Sequence, residues 1–185
     1  ALPELLHPFN HGQIWVIFSQ DKIYNKYGQT IYKALKSSGF KMELISLPEG
    51  EDAKSFTIVE KTFSRLLQYG CDRSSTFLAL GGGVVGDMTG FLAATFMRGL
   101  DYIQIPTTLL AMVDSSIGGK TGINLPEGKN LAGVFWQPKA VVIDPEVLAS
   151  LPEREMTSAM GEIIKYGAIM DRVLFDLIRE NIDEI

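Results

Sequence analysis

The chain is 185 residues long, 46% hydrophobic and 21% charged. At about 100–200 residues per domain, this means one full domain plus part of a second, and the composition excludes intrinsic disorder. Lys+Arg 17 against Asp+Glu 22 gives a net charge of −5, so a general basic field for nucleic acid or anionic lipid is excluded; no apolar run reaches the roughly 18 residues of a membrane-spanning helix. One cysteine, Cys71, excludes an internal disulfide framework, and the start, ALPELLHPFNHG, lacks a signal peptide's charged and apolar regions, which together point to a cytoplasmic protein.

His7 and His11 have the i, i+4 spacing of a helical metal pair, but Pro8 and Gly12 argue against a helix there, so neither is taken as a ligand. Residues 14–18 are a short continuous apolar run of the kind buried on both faces of a parallel sheet. A helical pattern follows over 21–37 and ends at Ser38-Gly39; a second strand covers 42–47 and closes at Pro48-Glu49-Gly50. Phe56, Val59, Phe63, Leu66 and Leu67 recur at helical spacing, so 54–69 is an amphipathic helix. Cys71, in a Gly-Cys-Asp turn, reads as a packing residue. Next come a strand over 76–80, a helix over 84–96 and a strand over 102–105.

Beyond Pro106 the pattern loosens. Residues 107–113 fit a helical turn or two, and 114–133 is a polar stretch rich in Gly, Ser, Thr, Asn and Lys, a composition that in a compact chain marks function or disorder. A last strand covers 140–143, and Pro152 opens a long helix to about Met170. The order predicts an α/β fold, a Rossmann-like parallel-sheet nucleotide-binding domain over 1–151, followed over 152–185 by the first helices of a second, all-α domain. After Met170 the sequence DRVLFDLIRENIDEI carries no Gly, Pro or basic cap to close a helix, so a fragment of something longer is expected.

Three segments carry chemistry. Gly81, Gly83 and Gly86 satisfy G-x-G-x-x-G between a strand and a helix, where glycines admit a pyrophosphate and the helix N-terminus favours its charge. The loop follows the third strand rather than the first, and Asp101 begins a strand instead of ending one, so the match to the dinucleotide fingerprint is imperfect. Asp87, in the first turn, either complements the helix dipole or reaches a ribose or nicotinamide amide.

The second segment, Asp114 to Thr121, nearly matches the phosphate loop of nucleoside triphosphatases, but Asp114 stands where Gly is required and no strand leads into it. Lys120 and Lys129, each beside Gly, can meet a phosphate as mobile point charges; the alternative is a solvated hairpin with ordinary surface lysines. The third segment is the late helix, with Met156, Met160, Ile163, Ile164 and Gly167 as its packing stripe. Glu162 and Lys165 are either a solvated ion pair or a metal ligand and a substrate contact.

Taken together, PEGEDAKS at 48–55, LGGGVVGDMTGF at 80–91, FMRG at 96–99, IPTTLLAMVDSSIGGKTGIN at 105–124, GKNLAGVFWQP at 128–138, SLPEREM at 150–156 and GEIIKYG at 161–167 resemble the 3-dehydroquinate synthase family, in family order. The first 47 residues match it only in pattern. The resemblance implies NAD contacts at Glu49, Gly50, Glu51, Asp52, Ala53 and Lys54, at Gly83, Val84, Val85, Gly86 and Asp87, at Thr107, Thr108, Lys120 and Lys129, and at Val147, Leu148, Ala149 and Ser150. It implies Glu162 as one ligand of a Zn2+ (or Co2+) ion, with two histidines expected downstream. Asp114, Lys120, Asn130 and Lys165 would contact a sugar-phosphate substrate, and Arg98 would reach the substrate phosphate of a neighbouring subunit, making a homodimer.

The reaction so implied converts 3-deoxy-arabino-heptulosonate 7-phosphate to 3-dehydroquinate and phosphate in the shikimate pathway. It proceeds by transient oxidation, phosphate elimination, re-reduction and aldol closure. Without the family's downstream residues, these 185 residues alone are expected to be inactive. Other readings are a sugar-phosphate cyclase of the 2-deoxy-scyllo-inosose or 2-epi-5-epi-valiolone synthase type, a polyol dehydrogenase, which the GKN and GEIIKYG segments fit poorly, and a nucleotide-binding module without catalysis.

Overall fold

The computed structural model describes residues 1–182; the last three positions of the 152–185 segment lie outside the described residues. In chain order the helices are α1 (Leu2–Leu6), α2 (Asp21–Ile23), α3 (Gln29–Ser37), α4 (Phe56–Gln68), α5 (Gly83–Thr95), α6 (Glu153–Ile169) and α7 (Arg172–Glu180). The strands are β1 (Ile14–Ser19), β2 (Lys41–Ser46), β3 (Thr76–Gly81), β4 (Asp101–Pro106), β5 (Lys120–Leu125), β6 (Gly128–Phe135) and β7 (Ala140–Val141). Five strands form one parallel sheet in the order β2-β1-β3-β4-β7, while β5 and β6 form a separate antiparallel hairpin.

The central strands β1 and β3 are buried on both faces, which is why they read as largely apolar runs, whereas edge strand β2 carries exposed Lys41 and Ser46. Val16, Phe18, Phe77 and Ala79 pack into one core with α4 and α5, whereas Trp15, Ile17, Leu78 and Leu80 pack into the other with Leu6 and Leu35. Successive residues of one strand thus serve opposite cores, as the period-2 alternation of a strand requires. Each of these fully buried large side chains contributes about 1.5–3 kcal/mol relative to exposure.

Where the observed elements differ from the predicted ones, the causes are local. The helical pattern over 21–37 is interrupted by a π turn, Tyr24–Gly28, in which a Cβ on Gly28 would lie 2.3 Å from the Tyr24 ring. The helix expected from residue 54 starts at Phe56, because Lys54 (φ −87°, ψ 66°) and extended Ser55 lie outside helical geometry. The strand expected over 140–143 pairs only through Ala140 and Val141, at the sheet edge. On α6, Gly167 is buried as expected and Ala159 with it, but Ile164 is exposed.

The polar stretch is neither loop nor disorder. It is a turn, Ala111–Ser115, followed by the β5–β6 hairpin, which lies against α5. Small residues permit that approach: a Cβ on Gly90 would stand 2.3 Å from Thr121 Cγ2 and 3.1 Å from the Tyr102 hydroxyl. Pro152 separates a short 3-10 segment, Pro145–Ser150, from α6. No described helix is long and apolar enough to cross a membrane.

Two measurements test this packing. Gly90→Ala is expected to destabilise the fold by about 1–3 kcal/mol through overpacking against stiff, buried Thr121; an unchanged melting temperature would show that the hairpin does not press on α5 as described. Cys71 is buried, and burial pushes its thiol up to about 11. At about pH 8 its labelling by a thiol reagent is therefore expected to wait for unfolding, and rapid labelling of the native protein would contradict the packing.

Candidate functional site

Parallel α/β sheets place ligands at the carboxyl ends of their strands, and here β3 and β4 end level, with Gly81 opposite Pro106. The Thr107 N–H donates to Gly81 O at 3.0 Å, which fixes the two loops side by side. From Gly81 the chain passes through extended Gly82 into α5. The Val85 and Gly86 N–H groups bond to Gly82 O at 3.1 Å, while the N–H groups before them have no partner within the helix. Close approach is built in: a Cβ on Gly82 would lie 3.2 Å from Thr108 Cγ2, and one on Gly83 would lie 2.9 Å from Ser115 Oγ.

Polar atoms gather around this cradle without protein partners. The hydroxyls of Thr107, Ser115 and Ser116 are buried and make no hydrogen bond within the described chain. Of these, Ser115 Oγ lies against Gly83 and Thr107 adjoins Gly81, so both sit packed behind the cradle.

Asp87 has a partner that neither expected reading named; its carboxylate accepts from the Lys54 ammonium at 2.6 Å. Lys54 is only 3% exposed and also donates to Asn130 Oδ1. Burial pushes the Asp87 carboxyl above its ordinary range, against the pull of the Lys54 hydrogen bond and charge. One buried cation thus joins the loop after β2, the first turns of α5, and the hairpin.

Glu51 lies at the rim of the same junction, accepting from the Asn124 side chain at 2.9 Å with Lys129 at 3.7 Å. The Asn124 hydrogen bond, then Lys54 and Lys129, hold its carboxyl below the ordinary range. Beside the network, Asp87, Asp114, Ser115, Lys120, Asn130 and Phe135 help to line a cavity of about 480 Å³. Helix α6 reaches back to the turn that carries Asp114. The Tyr166 hydroxyl lies 3.2 Å from both Val113 O and Asp114 Oδ1, and its phenol is pushed up to about 12 by desolvation first and by Asp114 next. Glu162 forms an ion pair with Lys165, which holds its carboxyl down, and the charge of Lys120 reaches it too.

Of the residues singled out in sequence, Gly83, Val84, Val85, Gly86, Thr107 and Thr108 form or adjoin the cradle, Glu51, Lys54, Asp87, Lys129 and Asn130 meet at the junction, Asp87, Asp114, Lys120 and Asn130 line the cavity, and Glu162 and Lys165 pair with each other on α6. Some are not placed to offer side chains. Glu49 spends its carboxylate on Lys22 at 2.7 Å, and Ala53 points into the core. Asp52 is exposed near left-handed Gly50 (φ 73°). The 3-10 turn carrying Val147, Leu148, Ala149 and Ser150 lies across a second, more apolar cavity of about 550 Å³, shared by Thr107, Leu80, Ile105 and Tyr27. Arg98 stands at the far end of α5 from Asp87, exposed, with a left-handed backbone (φ 71°).

Sequence reasoning missed Ser115, Asn124, Tyr166 and Tyr27, whose hydroxyl donates to Val147 O at 3.3 Å. Asn124, at the end of the quoted 105–124 block, was the most accessible of them, but no spacing rule marks a lone Asn. As for a metal, Glu162 offers one oxygen donor. Among the described residues no group of three or more His, Cys, Asp or Glu stands close enough to hold an ion.

A family model described as 3-dehydroquinate synthase N-terminal matches residues 44–158. The 3-dehydroquinate synthase of a Picosynechococcus species is 52% identical over 170 residues, covering 92% of this chain and 47% of that protein. Among solved structures, a 2-epi-5-epi-valiolone synthase from Streptomyces hygroscopicus subsp. jinggangensis with NAD+ and Zn2+ bound is 32% identical with a TM-score of 0.83, over 91% of this chain and 47% of that one. A 2-deoxy-scyllo-inosose synthase complexed with carbaglucose-6-phosphate, NAD+ and Co2+ is 26% identical with a TM-score of 0.82, over 89% and 45%. The chain spans about half the length of the curated relatives it matches. With that profile over most of its length and a sheet that carries the glycine cradle where the profile lies, the chain belongs to the 3-dehydroquinate synthase family.

Proposed function

We propose that this chain is the NAD-binding part of a 3-dehydroquinate synthase, a cytoplasmic homodimer that converts 3-deoxy-arabino-heptulosonate 7-phosphate to 3-dehydroquinate and phosphate. The observation that carries the reading is the glycine cradle at the start of α5, with a cavity lined by Asp87, Lys120 and Asn130 next to it. Helix N–H groups suit a pyrophosphate, and the apolar cavity by Thr107 and Val147 suits a flat base. When bound, NAD supplies a hydride acceptor that later returns the hydride.

The chain's own residues bind and orient. Lys120 and Lys165 offer cations for the charge of a departing phosphate, Asn130 offers an amide at the cavity wall, and Asp114 is held by Tyr166. Lys54 keeps Asp87 and Asn130 in fixed relation. Glu162 is one donor toward Zn2+ or Co2+, whereas a catalytic zinc takes about three protein ligands, so the described residues supply one of them and the rest of the set lies elsewhere. Residues 1–151 form the cofactor domain in this reading, and 152–185 begin a helical domain. Exposed Ile169, Met170, Val173 and Leu177 on and beside α6 and α7 support a packing partner there. The exposed position of Arg98 supports its service to a second subunit.

The relatives of known structure favour a second reading, a cyclase acting on another sugar phosphate. The test is phosphate release by the full-length enzyme on each candidate substrate. The heptulosonate phosphate is expected to give 3-dehydroquinate in an NAD- and metal-dependent way, and turnover of another sugar phosphate instead would overturn the reading. The 185-residue chain alone is expected to show no turnover in the same assay. In the full-length enzyme, Lys120→Ala is expected to lower kcat/KM by about 10²–10³-fold, as loss of one preorganised electrostatic donor does. Lys54→Met leaves Asp87 without its cation and is expected to cost on the order of 3 kcal/mol in chemical denaturation; a variant as stable as the parent would show the pair to be incidental.

A further inference from the structure

The hairpin pairs Ile123 with Ala132 and Leu125 with Gly128, so between those pairs one residue, Asn124, faces three, Lys129, Asn130 and Leu131. This is a bulge, a device that re-aims side chains near sites, and it turns Asn130 into the left-handed region (φ 57°). Asn124 holds both sides of it. Its side-chain oxygen accepts from the Asn130 N–H at 2.9 Å, and its amide nitrogen donates to Glu51 Oε2 at 2.9 Å and Glu51 O at 3.4 Å. Its own backbone N–H donates to Lys54 O at 2.8 Å. The amide orientation is forced, because a carboxylate only accepts and an N–H only donates.

We infer that Asn124 is a positioning residue that sets the bulge, aiming Asn130 at the sugar-phosphate cavity and Glu51 at the cofactor side. The inference rests on the proposed function for the identity of the two ligands; the geometry of the bulge stands without it. Asn is the side chain that serves both ends at this length. Asp keeps the acceptor for Asn130 but loses the donor and sets a second carboxylate against Glu51; Leu keeps the volume and loses both.

These differences give the test in the full-length enzyme. Asn124→Asp is expected to weaken NAD binding about tenfold, measured by calorimetry, while KM for the sugar phosphate stays near that of the parent. Asn124→Leu is expected to weaken NAD binding and also raise KM and lower kcat, each by about tenfold, the scale of one lost hydrogen bond. A purely structural role would lower the melting temperature of both variants and leave these constants alike, and that result would overturn the inference, as would parental constants in both. If Asn124→Leu fails to fold, the separation of NAD affinity from KM in Asn124→Asp decides by itself. A parent enzyme that binds NAD but turns over no heptulosonate phosphate defeats the proposed function, and the NAD affinity of Asn124→Asp then supports or overturns the positioning role.

Discussion

A lysine ammonium cannot sit almost wholly out of water unless charge and hydrogen bonds meet it there. The ammonium of Lys54 is in that position, and the contacts that meet it join three separate parts of the chain: its own loop after β2, Asp87 on α5, and Asn130 on the hairpin. Each partner is there to be met only if the rest of the fold is correct. The glycine cradle fixes the start of α5 and so the height of Asp87; Gly90 lets the hairpin down onto α5 and so brings Asn130 within reach. The desolvation of Lys54 and Asp87 thus penalises every arrangement in which these three elements are out of register. That penalty turns a general α/β scaffold into one particular site.

The parts of the fold set by local physics were legible. Unbroken apolar runs at 14–18 and 76–80 announce strands covered on both faces, and the spacing from Phe56 to Leu67 announces a helix that shows one face to a core. The glycine loop was legible for the same reason: a tight turn into a helix has few solutions, and most require glycine. What stayed hidden depends on distant partners. No pattern says that Lys54 meets Asp87, 33 positions away, or that Tyr166 reaches back to Asp114 across 52. The polar stretch hid its strands because β5 and β6 alternate weakly and β6 shows mostly exposed positions. The resemblance to a known family, by contrast, singled out Glu51, Lys54, Asp87, Lys129 and Asn130, which the structure brings together, because its motifs are contiguous even where their contacts are not.

The electrostatics reconcile a negative chain with an anionic ligand. A net charge of −5 does not forbid a cationic pocket, since exposed charges more than about 10 Å apart are largely screened at ordinary salt. What matters at the cavity is the local set: Lys120 with the carboxylates of Asp87 and Asp114 on its wall, and Lys54 paired to Asp87. Two nearby carboxylates are already engaged, Asp87 by Lys54 and Glu162 by Lys165. The charges of Asp87 and Glu162 are thus partly offset, whereas Asp114 and Lys120 have no ion-pair partner among the described residues.

Division of labour follows from rigidity. The residues that would hold the cofactor lie at the ends of β3 and β4 and the start of α5, all anchored in the double-sided core. Those that would meet the sugar phosphate lie on the Ala111–Ser115 turn, the hairpin and α6; the hairpin packs on α5 and is tied in by Asn124 to Glu51 and Lys54 and by Lys54 to Asn130, and α6 by Tyr166 to Val113 and Asp114. A site built this way can keep its cofactor surface fixed while the substrate surface is tuned by changes at the links. At the bulge opposite Asn124, one side chain holds Asn130 in a left-handed backbone that residues other than glycine seldom adopt. The same scaffold can then serve different sugar phosphates without altering the sheet that carries them.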